Sequence, residues 1–186
     1  MTALRLLLAL VLLAQPVAGQ GCPPAELDVA READLIDALR AAPDAGAARA
    51  YNARLWELWT DAPDAHAQSL LDSGMARLRM GDVGKALKAF DALIAYCPDY
   101  AEGYNQRAFA HYLRQEFGPA LADLDAALAR SPRHIGALSG RALTLMGLGR
   151  DRSALEALEA ALALNPWLSE RALLPVLKQR LGDEEL

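Results

Sequence analysis

Aromatic residues are scarce in this sequence, at 6% of the chain, and β-branched residues are few. Strands favour both kinds of residue, so their shortage argues against a protein built on β-sheets. Hydrophobic residues still make up 53% of the 186 residues, mainly as alanine and leucine. Both lose little conformational freedom in a helix, and a chain of this length can bury an apolar core. The composition therefore predicts a folded, all-α protein.

The chain also lacks an excess of positive charge. Its 19 lysine and arginine residues are outnumbered by 24 aspartate and glutamate residues, which gives a formal net charge of −5. A protein that binds nucleic acid generally needs a clustered basic face to neutralise the phosphates. We therefore expect no nucleic-acid partner.

Motifs for catalytic or metal-binding chemistry are missing as well. The three histidines, His66, His111 and His134, have no histidine or glutamate partner at the helical spacing of a zinc site. The cysteines lack the close spacing of a redox or metal site. The sequence has neither a phosphate-binding glycine loop nor a Gly-x-Ser-x-Gly motif. We expect that the protein is not an enzyme and has no cofactor, no metal and no small-molecule substrate.

The apolar run at the start of the chain is too short to span a membrane, which takes about 20 apolar residues. It extends from Leu6 to Ala14, follows Arg5, and leads into Pro16 and small residues. This order is typical of a secretory signal peptide. We therefore expect residues 1–19 to be a signal peptide, cleaved near Gly19, and the mature protein to be periplasmic or secreted.

The sequence contains only two cysteines, Cys22 and Cys97. In the oxidising compartment that a signal peptide implies, they could form a disulfide. Cys22 also lies just after the signal and could carry a lipid, although Gly19 and Gln20 differ from the residues usual before a lipidated cysteine. Both thiols could also be free. We expect contact with a membrane only if Cys22 is lipidated.

A 34-residue repeat organises most of the remaining chain. Pro98, Pro132 and Pro166 stand at equal intervals, one such period apart. Three blocks can be counted back from these prolines, residues 67–100, 101–134 and 135–168. In each block an alanine stands twelve residues before the proline, a large apolar residue eight before it and a small residue 24 before it. Two helix-length apolar segments in each block, separated by turn residues, predict a helical hairpin.

The blocks resemble the tetratricopeptide repeat, most clearly in ALKAFDALIAYCPDY, ALADLDAALARSPRH and ALEALEAALALNPWL. The resemblance covers residues 67–168 and includes the family's small residue at position 8, alanine at 20, large apolar residue at 24 and proline at 32. The family's tryptophan at position 4 and tyrosine at position 11 are replaced. The resemblance implies a right-handed superhelix of antiparallel helix pairs, which stack because one pair cannot bury its own apolar face.

The resemblance also implies a groove that binds a protein or peptide. In the family, the first helix of each repeat lines the concave face, chiefly through positions 2, 5, 9, 12 and 13. From these positions we expect a partner site formed by Gln68, Leu71, Met75, Arg79, Glu102, Asn105, Phe109, Tyr112, Ser139, Leu143 and Met146. The centre of this set is apolar and aromatic, which suits an extended or helical peptide. The alternative is that terminal helices fold over the groove and bury these residues.

The segments outside the repeats are less regular. We expect residues 20–66 to form a tail and a degenerate helical pair that caps the repeats, with the bulky side chains of RLWELW, residues 54–59, sealing the core. We expect residues 169–186 to form a C-terminal capping helix. Together these features predict an exported scaffold that binds a protein or peptide partner. The alternative is a lipid-anchored assembly factor of the cell envelope, acting within a larger complex.

Overall fold

The computed structural model of the protein describes residues 21–184, so the expected signal peptide lies outside the described residues. Within this range all regular structure is helical, with nine α-helices, one 3₁₀ helix and no strand. Consecutive helices pack against each other in pairs, so the predicted all-α fold of stacked helix pairs is confirmed. None of the helices in the described range is both long and apolar enough to cross a membrane.

The first helix pair consists of α1, Val29–Arg40, and α2, Ala45–Thr60. The three hairpins of the repeat region follow as α3 (Ala65–Arg79) with α4 (Val83–Tyr96), α5 (Ala101–Leu113) with α6 (Phe117–Arg130), and α7 (Ile135–Gly147) with α8 (Asp151–Leu164). A 3₁₀ helix, Ser169–Leu173, then leads into the last helix, α9, Leu174–Glu184.

The residues of the repeat pattern form the core between the paired helices. The side chains at positions 20 and 24 are buried in all three blocks, namely Ala86, Ala120, Ala154, Phe90, Leu124 and Leu158. Position 8 shows why a small residue is needed there. A Cβ atom added to Gly74 would overlap the ring of Phe90, so glycine allows α3 and α4 to approach this closely.

The turn inside each hairpin places one residue in the left-handed region of backbone conformation, at position 15 of its block. Gly81, with φ of 74°, and Gly149, with φ of 69°, occupy it in the outer blocks. The middle block has Gln115 there, with φ of 59°, and no other non-glycine residue in the described range has a positive φ. Because a Cβ atom disfavours this conformation, the middle turn carries strain that the other two avoid.

An ionic contact recurs between successive hairpins. Arg107 of α5 binds Asp91 of α4 at 2.8 Å, and Arg141, its equivalent in the next block, binds Asp125 of α6 at 2.7 Å. Arg107 also donates to both carboxylate oxygens of Asp123, at 2.7 and 2.8 Å. The bonds to Asp123, and then those to Asp91, raise the pKa of the Arg107 guanidinium above its usual value. One arginine thus joins three helices.

The N-terminal pair, α1 and α2, packs mainly against α5 and α8. Trp59 of α2 is buried in an apolar cluster that includes Ile135 at the start of α7. The Tyr100 hydroxyl, just before α5, donates to the carbonyl oxygen of Trp59 at 2.7 Å. Asn165, just after α8, donates to the side chain of Asn52 at 3.4 Å. The pair therefore crosses the starts of α5 and α7 and the end of α8.

A disulfide joins Cys22 to Cys97, whose Cα atoms are 5.1 Å apart. Of the three states that the sequence left open for these cysteines, the structure contains this one. Cys97 is buried at the C-terminal end of α4. Cys22 begins the segment of residues 22–28 that precedes α1 and has no regular secondary structure, which we call the strap. The disulfide therefore ties the strap to the first hairpin.

The C-terminal helix α9 packs on the last hairpin. Leu177 of α9 is fully buried in a cluster with Leu145 of α7 and Leu158 of α8. Arg180 contacts Asp151 at the start of α8 at 3.3 Å. These contacts cover apolar surface of the third hairpin that would otherwise face water.

Candidate functional site

An open groove runs along α3, α5 and α7, the first helices of the three hairpins, and encloses a cavity of about 420 Å³. Seven of the eleven residues predicted for the partner site line it, namely Met75, Arg79, Asn105, Phe109, Tyr112, Ser139 and Leu143. The repeat period brings them together, because it places equivalent helix faces of successive repeats side by side.

The centre of the groove is aromatic and accessible. Phe109 is 50% exposed, although its neighbours Ala108 and Ala110 are buried. Tyr112 lies one helical turn further along α5, with its ring 5.6 Å from that of Phe117. Large apolar side chains that remain exposed in one concavity are typical of surfaces that bind a partner.

Trp56 of α2 forms a further wall of this groove, although the sequence predicted a sealing role for it. Leu55 and Trp59 are four residues apart, so they share one face of α2, and both are buried. Trp56 is rotated away from that face and is 39% exposed. The one-residue offset from the buried pair was the signal available in the sequence, but no local pattern indicated where α2 would pack.

Four residues predicted for the groove lie elsewhere. Leu71 is fully buried in the core of the first hairpin, and Glu102 is 1% exposed. Met146 packs on the apolar cluster of the third hairpin. Gln68 accepts a hydrogen bond from the backbone N–H of Ala62 at 3.0 Å, which holds it beside the turn between α2 and α3. None of the four lines the open groove.

Charged groups lie at the margins of the groove. Arg79, at the end of α3, is exposed, and Glu170 reaches the groove from the 3₁₀ helix. A cationic and an anionic group thus flank a mainly apolar centre. A binding segment with an apolar anchor and charges on either side would match this arrangement.

A second group of polar side chains is buried where the N-terminal pair meets α5 and α7. The carboxylate of Glu102 accepts hydrogen bonds from Asn105 at 3.0 Å, from Gln106 at 2.6 Å and from His134 Nε2 at 2.7 Å. Two of these three donors reach the same oxygen, Oε2. Both oxygens of the Glu102 side chain therefore act as hydrogen-bond acceptors.

His134 has a defined tautomer in this group. Its Nδ1 accepts the backbone N–H of Ala137 at 3.2 Å, which caps the start of α7, so the ring proton lies on Nε2 and is donated to Glu102. The ring of Trp59 stacks on His134 with a centroid separation of 4.2 Å. The indole N–H of Trp59 donates to the buried carboxylate of Glu32 at 2.9 Å. His134 therefore joins α1, α2, α5 and α7 through one network of hydrogen bonds and ring stacking.

Tyr100 lies beside this network. Burial of its side chain raises the pKa of the phenol well above its usual value, and the nearby Glu102 carboxylate raises it further. The neutral phenol donates its hydroxyl proton to the Trp59 carbonyl. The network thus combines two buried carboxylates, those of Glu32 and Glu102, with amide, imidazole and indole donors.

Groups arranged for metal binding or nucleophilic attack are absent from the described part of the groove. No cluster of histidine, cysteine, aspartate or glutamate between residues 21 and 184 is placed to hold a metal ion. The groove presents apolar side chains and amide groups, and its polar atoms include no nucleophile paired with a base in the described hydrogen bonds.

The chain matches no protein-family profile. It is 33% identical to a TPR repeat-containing protein of Rhizobium etli over 108 residues, which cover 58% of this chain and 53% of that protein. The match thus spans about half the length of this relative. Among solved structures, the first TPR domain of Spaghetti (RPAP3), bound to an HSP90 peptide, superposes with a TM-score of 0.62 at 23% identity. It covers 64% of this chain and 96% of that domain.

The TPR2B domain of yeast Sti1, solved in a complex named for pHsp70, superposes with a TM-score of 0.58 at 25% identity. The match covers 65% of this chain and 99% of that domain. The similarity extends to the paired-helix architecture as well as to the repeat sequence. The repeats of this chain are therefore tetratricopeptide repeats.

Proposed function

We propose that the protein is an interaction module that binds a protein or peptide partner in the groove along α3, α5 and α7. The observation that carries the proposal is the exposed aromatic pair, Phe109 at 50% and Trp56 at 39%, in one cavity of about 420 Å³. Burial of these side chains by a partner would supply the apolar contact on which most interfaces depend. The similar solved domains, one bound to an HSP90 peptide and one in a complex named for pHsp70, support this assignment.

The groove favours a partner segment with one apolar anchor. Met75 and Leu143 lie on helices on either side of α5, so an inserted side chain would contact apolar atoms from three repeats. Met75 can adjust its shape, which allows anchors of different size. Arg79 favours an acidic residue at one end of the segment and Glu170 a basic residue at the other.

The proposal places the protein outside the cytoplasm, in the periplasm or secreted. The apolar run Leu6–Ala14, with its flanking residues, supports export. The Cys22–Cys97 bond agrees with an oxidising compartment. A lipid on Cys22 would need the same sulfur atom, so the proposal is for a protein without a lipid anchor.

Peptide selection tests the proposal. Random peptides displayed on phage are selected on the protein with its disulfide intact, and the enriched peptides are synthesised and titrated by isothermal calorimetry. We expect Phe109→Glu to weaken their binding by at least about tenfold, because a charge would replace a central apolar contact. Val29→Glu is the matched control, since Val29 is 62% exposed on α1 and lies outside the groove.

The variants are compared only after circular dichroism and thermal melting show that each is folded. Loss of binding in Phe109→Glu with unchanged binding in Val29→Glu supports the groove. Equal affinity of the enriched peptides for the parent protein and for Phe109→Glu contradicts it.

A further inference from the structure

The floor of the open groove contains two polar side chains that a purely apolar anchor would leave unsatisfied. Asn105 and Gln106 of α5 both line the groove, yet they are only 8% and 5% exposed. Each side chain ends in an amide group, with two donor hydrogens on the nitrogen and one acceptor oxygen. Polar groups buried to this extent need hydrogen-bond partners, so the direction of each amide decides which groups the groove can accept.

The nitrogen of each amide is already bonded inside the protein. Asn105 Nδ2 donates to one oxygen of Glu102 at 3.0 Å, and Gln106 Nε2 donates to the other at 2.6 Å. With the nitrogen bound in this way, the oxygen of each planar amide points away from Glu102. Neither Asn105 Oδ1 nor Gln106 Oε1 accepts a hydrogen bond from another group within residues 21–184. Both oxygens are therefore free acceptors.

The two amide oxygens remain accessible to water. Within the described range, the buried side-chain polar atoms that lack both a hydrogen-bond partner and contact with water are the Ser131 and Thr144 hydroxyls. The amide oxygens are not among them. A second cavity of about 420 Å³ lies beneath the strap, where the strap and α2 meet the starts of α5 and α7, but neither Asn105 nor Gln106 lines it. The open groove is therefore the cavity from which a ligand reaches these oxygens.

A third polar side chain at this depth of the groove also has its donor in use. Ser139 is 8% exposed, and its hydroxyl donates to the carbonyl oxygen of Gly136 at 3.2 Å. The amide of Asn105 lies beside the same residue, since a Cβ atom added to Gly136 would be 3.8 Å from Asn105 Nδ2. The groove floor between α5 and α7 thus offers acceptors whose own donors are bonded elsewhere.

The apolar surroundings of Asn105 restrict the kind of side chain that can reach its oxygen. Phe109 lies one helical turn after Asn105 on the same face of α5, and Met75 and Leu143 lie on the neighbouring helices. An inserted phenylalanine or leucine would take water from Asn105 Oδ1 and supply no donor in return, which is costly. A tyrosine hydroxyl would bring its own lone pairs to a floor of acceptors. An indole ring has a flat apolar body with one N–H donor and no acceptor.

We propose that the anchor of the partner segment is a tryptophan side chain, whose indole N–H donates to Asn105 Oδ1. This inference rests on the proposed function, because it names the group that fills the same groove. The ring lies against Phe109 and Met75, and the cavity of about 420 Å³ is in the range of small-molecule pockets, roughly 300–1,000 Å³. Phe109 thus supplies affinity for any apolar anchor, and Asn105 selects the one that carries a donor.

Two ligands that differ in one group test this selection. The ¹⁵N-labelled, disulfide-intact protein is titrated with N-acetyl-tryptophan amide and with N-acetyl-3-benzothienylalanine amide, in which sulfur replaces the indole N–H, and binding is followed by NMR. We expect the tryptophan compound to bind at least about threefold more tightly, because its isostere leaves Asn105 Oδ1 without a donor. Asn105→Ala should abolish this preference. Asn52→Ala, the same change at an exposed position on α2 outside the groove, should retain it.

A measurement on the parent protein keeps the test independent of the variant. If Asn105→Ala does not melt cooperatively, the ¹³C signal of the Asn105 side-chain carbonyl is followed instead. That signal should move with the tryptophan compound and stay in place with the isostere. The inference is overturned if the two compounds bind the parent protein equally well, or if folded Asn105→Ala keeps the preference.

Phe109→Glu separates this inference from the proposed function. We expect it to weaken the binding of both compounds, because they share the apolar contact with that ring. Equal affinity of the two compounds, with both weakened by Phe109→Glu, contradicts the tryptophan anchor and supports the groove. If neither compound binds, the inference alone fails where the selected peptides still bind in the groove, and both proposals fail where those peptides do not.

Discussion

The open groove and the cavity beneath the strap are alike in volume, at about 420 Å³ each, and opposite in chemistry. Exposed Phe109 and Trp56 line the first, whereas buried Glu102 and Trp59 line the second. The helix α5 contributes to both, and α2 places one tryptophan in each. The contrast shows that a regular stack of repeats acquires two different surfaces when an irregular helix pair packs across it.

Asn105 connects the two regions. Its side chain lines the groove and also donates to Glu102 at 3.0 Å. The face of α5 that carries Phe109 is directed at the groove. The first turn of α5 instead contacts the N-terminal pair, α1 and α2. The N-terminal pair therefore changes the role of the first turn of α5 without altering the face that carries Phe109.

Replacing each tryptophan in turn should give the largest difference in stability between the two regions. We expect Trp59→Ala to lower the free energy of unfolding by about 3–5 kcal/mol, because it removes a buried ring, its stacking on His134 and the bond to Glu32. Trp56→Ala should cost less than about 1 kcal/mol, since that ring is 39% exposed. Urea denaturation of both variants measures the difference. Equal losses of unfolding free energy would contradict the assignment of the two rings to environments that differ in burial.

Removing the disulfide should loosen the strap side and spare the groove. The bond spans 75 residues, and we expect the double variant Cys22→Ser, Cys97→Ser to lose about 2–4 kcal/mol of stability. Hydrogen exchange should quicken in α1 and α2 more than in α5, because those helices follow the strap. Uniform quickening over all helices would contradict this division.

Removal of the ionic contacts between hairpins should lower the stability of both regions equally. Arg107→Ala breaks the bonds to Asp123 and Asp91 and should cost about 1.5–3 kcal/mol, because Asp123 is almost fully buried. Its repeat equivalent, Arg141→Ala, loses a half-exposed partner and should cost less than about 1 kcal/mol. Thermal melting measures both changes. A larger loss in Arg141→Ala would be inconsistent with the burial of these pairs.

The strained turn of the middle hairpin should give the smallest effect, and a favourable one. Gln115→Gly relieves a positive φ at a residue with a Cβ atom, and we expect a gain of about 0.5–1 kcal/mol. The reverse change in the third hairpin, Gly149→Ala, should lose a similar amount. Peptide affinity in the groove should not change in either variant. Destabilisation by Gln115→Gly would show that the side chain stabilises the turn.

Most of the repeat region could be predicted from the sequence, because one period fixes which helix faces are buried. That period indicated the all-α hairpins, and the family resemblance implied seven of the residues that line the groove. Leu71 and Glu102 were misplaced because the period gives a position in a helix and not the depth of its burial. Glu102 is covered by the N-terminal pair, whose sequence does not follow the repeat.

The irregular segment was the least predictable part of the site. Leu55 and Trp59 indicated an apolar face on α2, but the surface that receives this face lies two repeats further along the chain, at His134 and Ile135. No local pattern encodes such a contact. The exposure of Trp56 depends on it, so the contribution of Trp56 to the groove emerged only from the packed structure.

The indole N–H signals of the tryptophans provide the most direct test, because Trp56 and Trp59 report on the two regions in one two-dimensional ¹⁵N NMR spectrum. A peptide selected on the groove is added to the labelled protein, and the signals are assigned by single replacement. The account predicts that the Trp56 signal shifts with increasing peptide while the Trp59 signal does not move. A shift of Trp59 with Trp56 unmoved would contradict the assignment of the groove as the partner site.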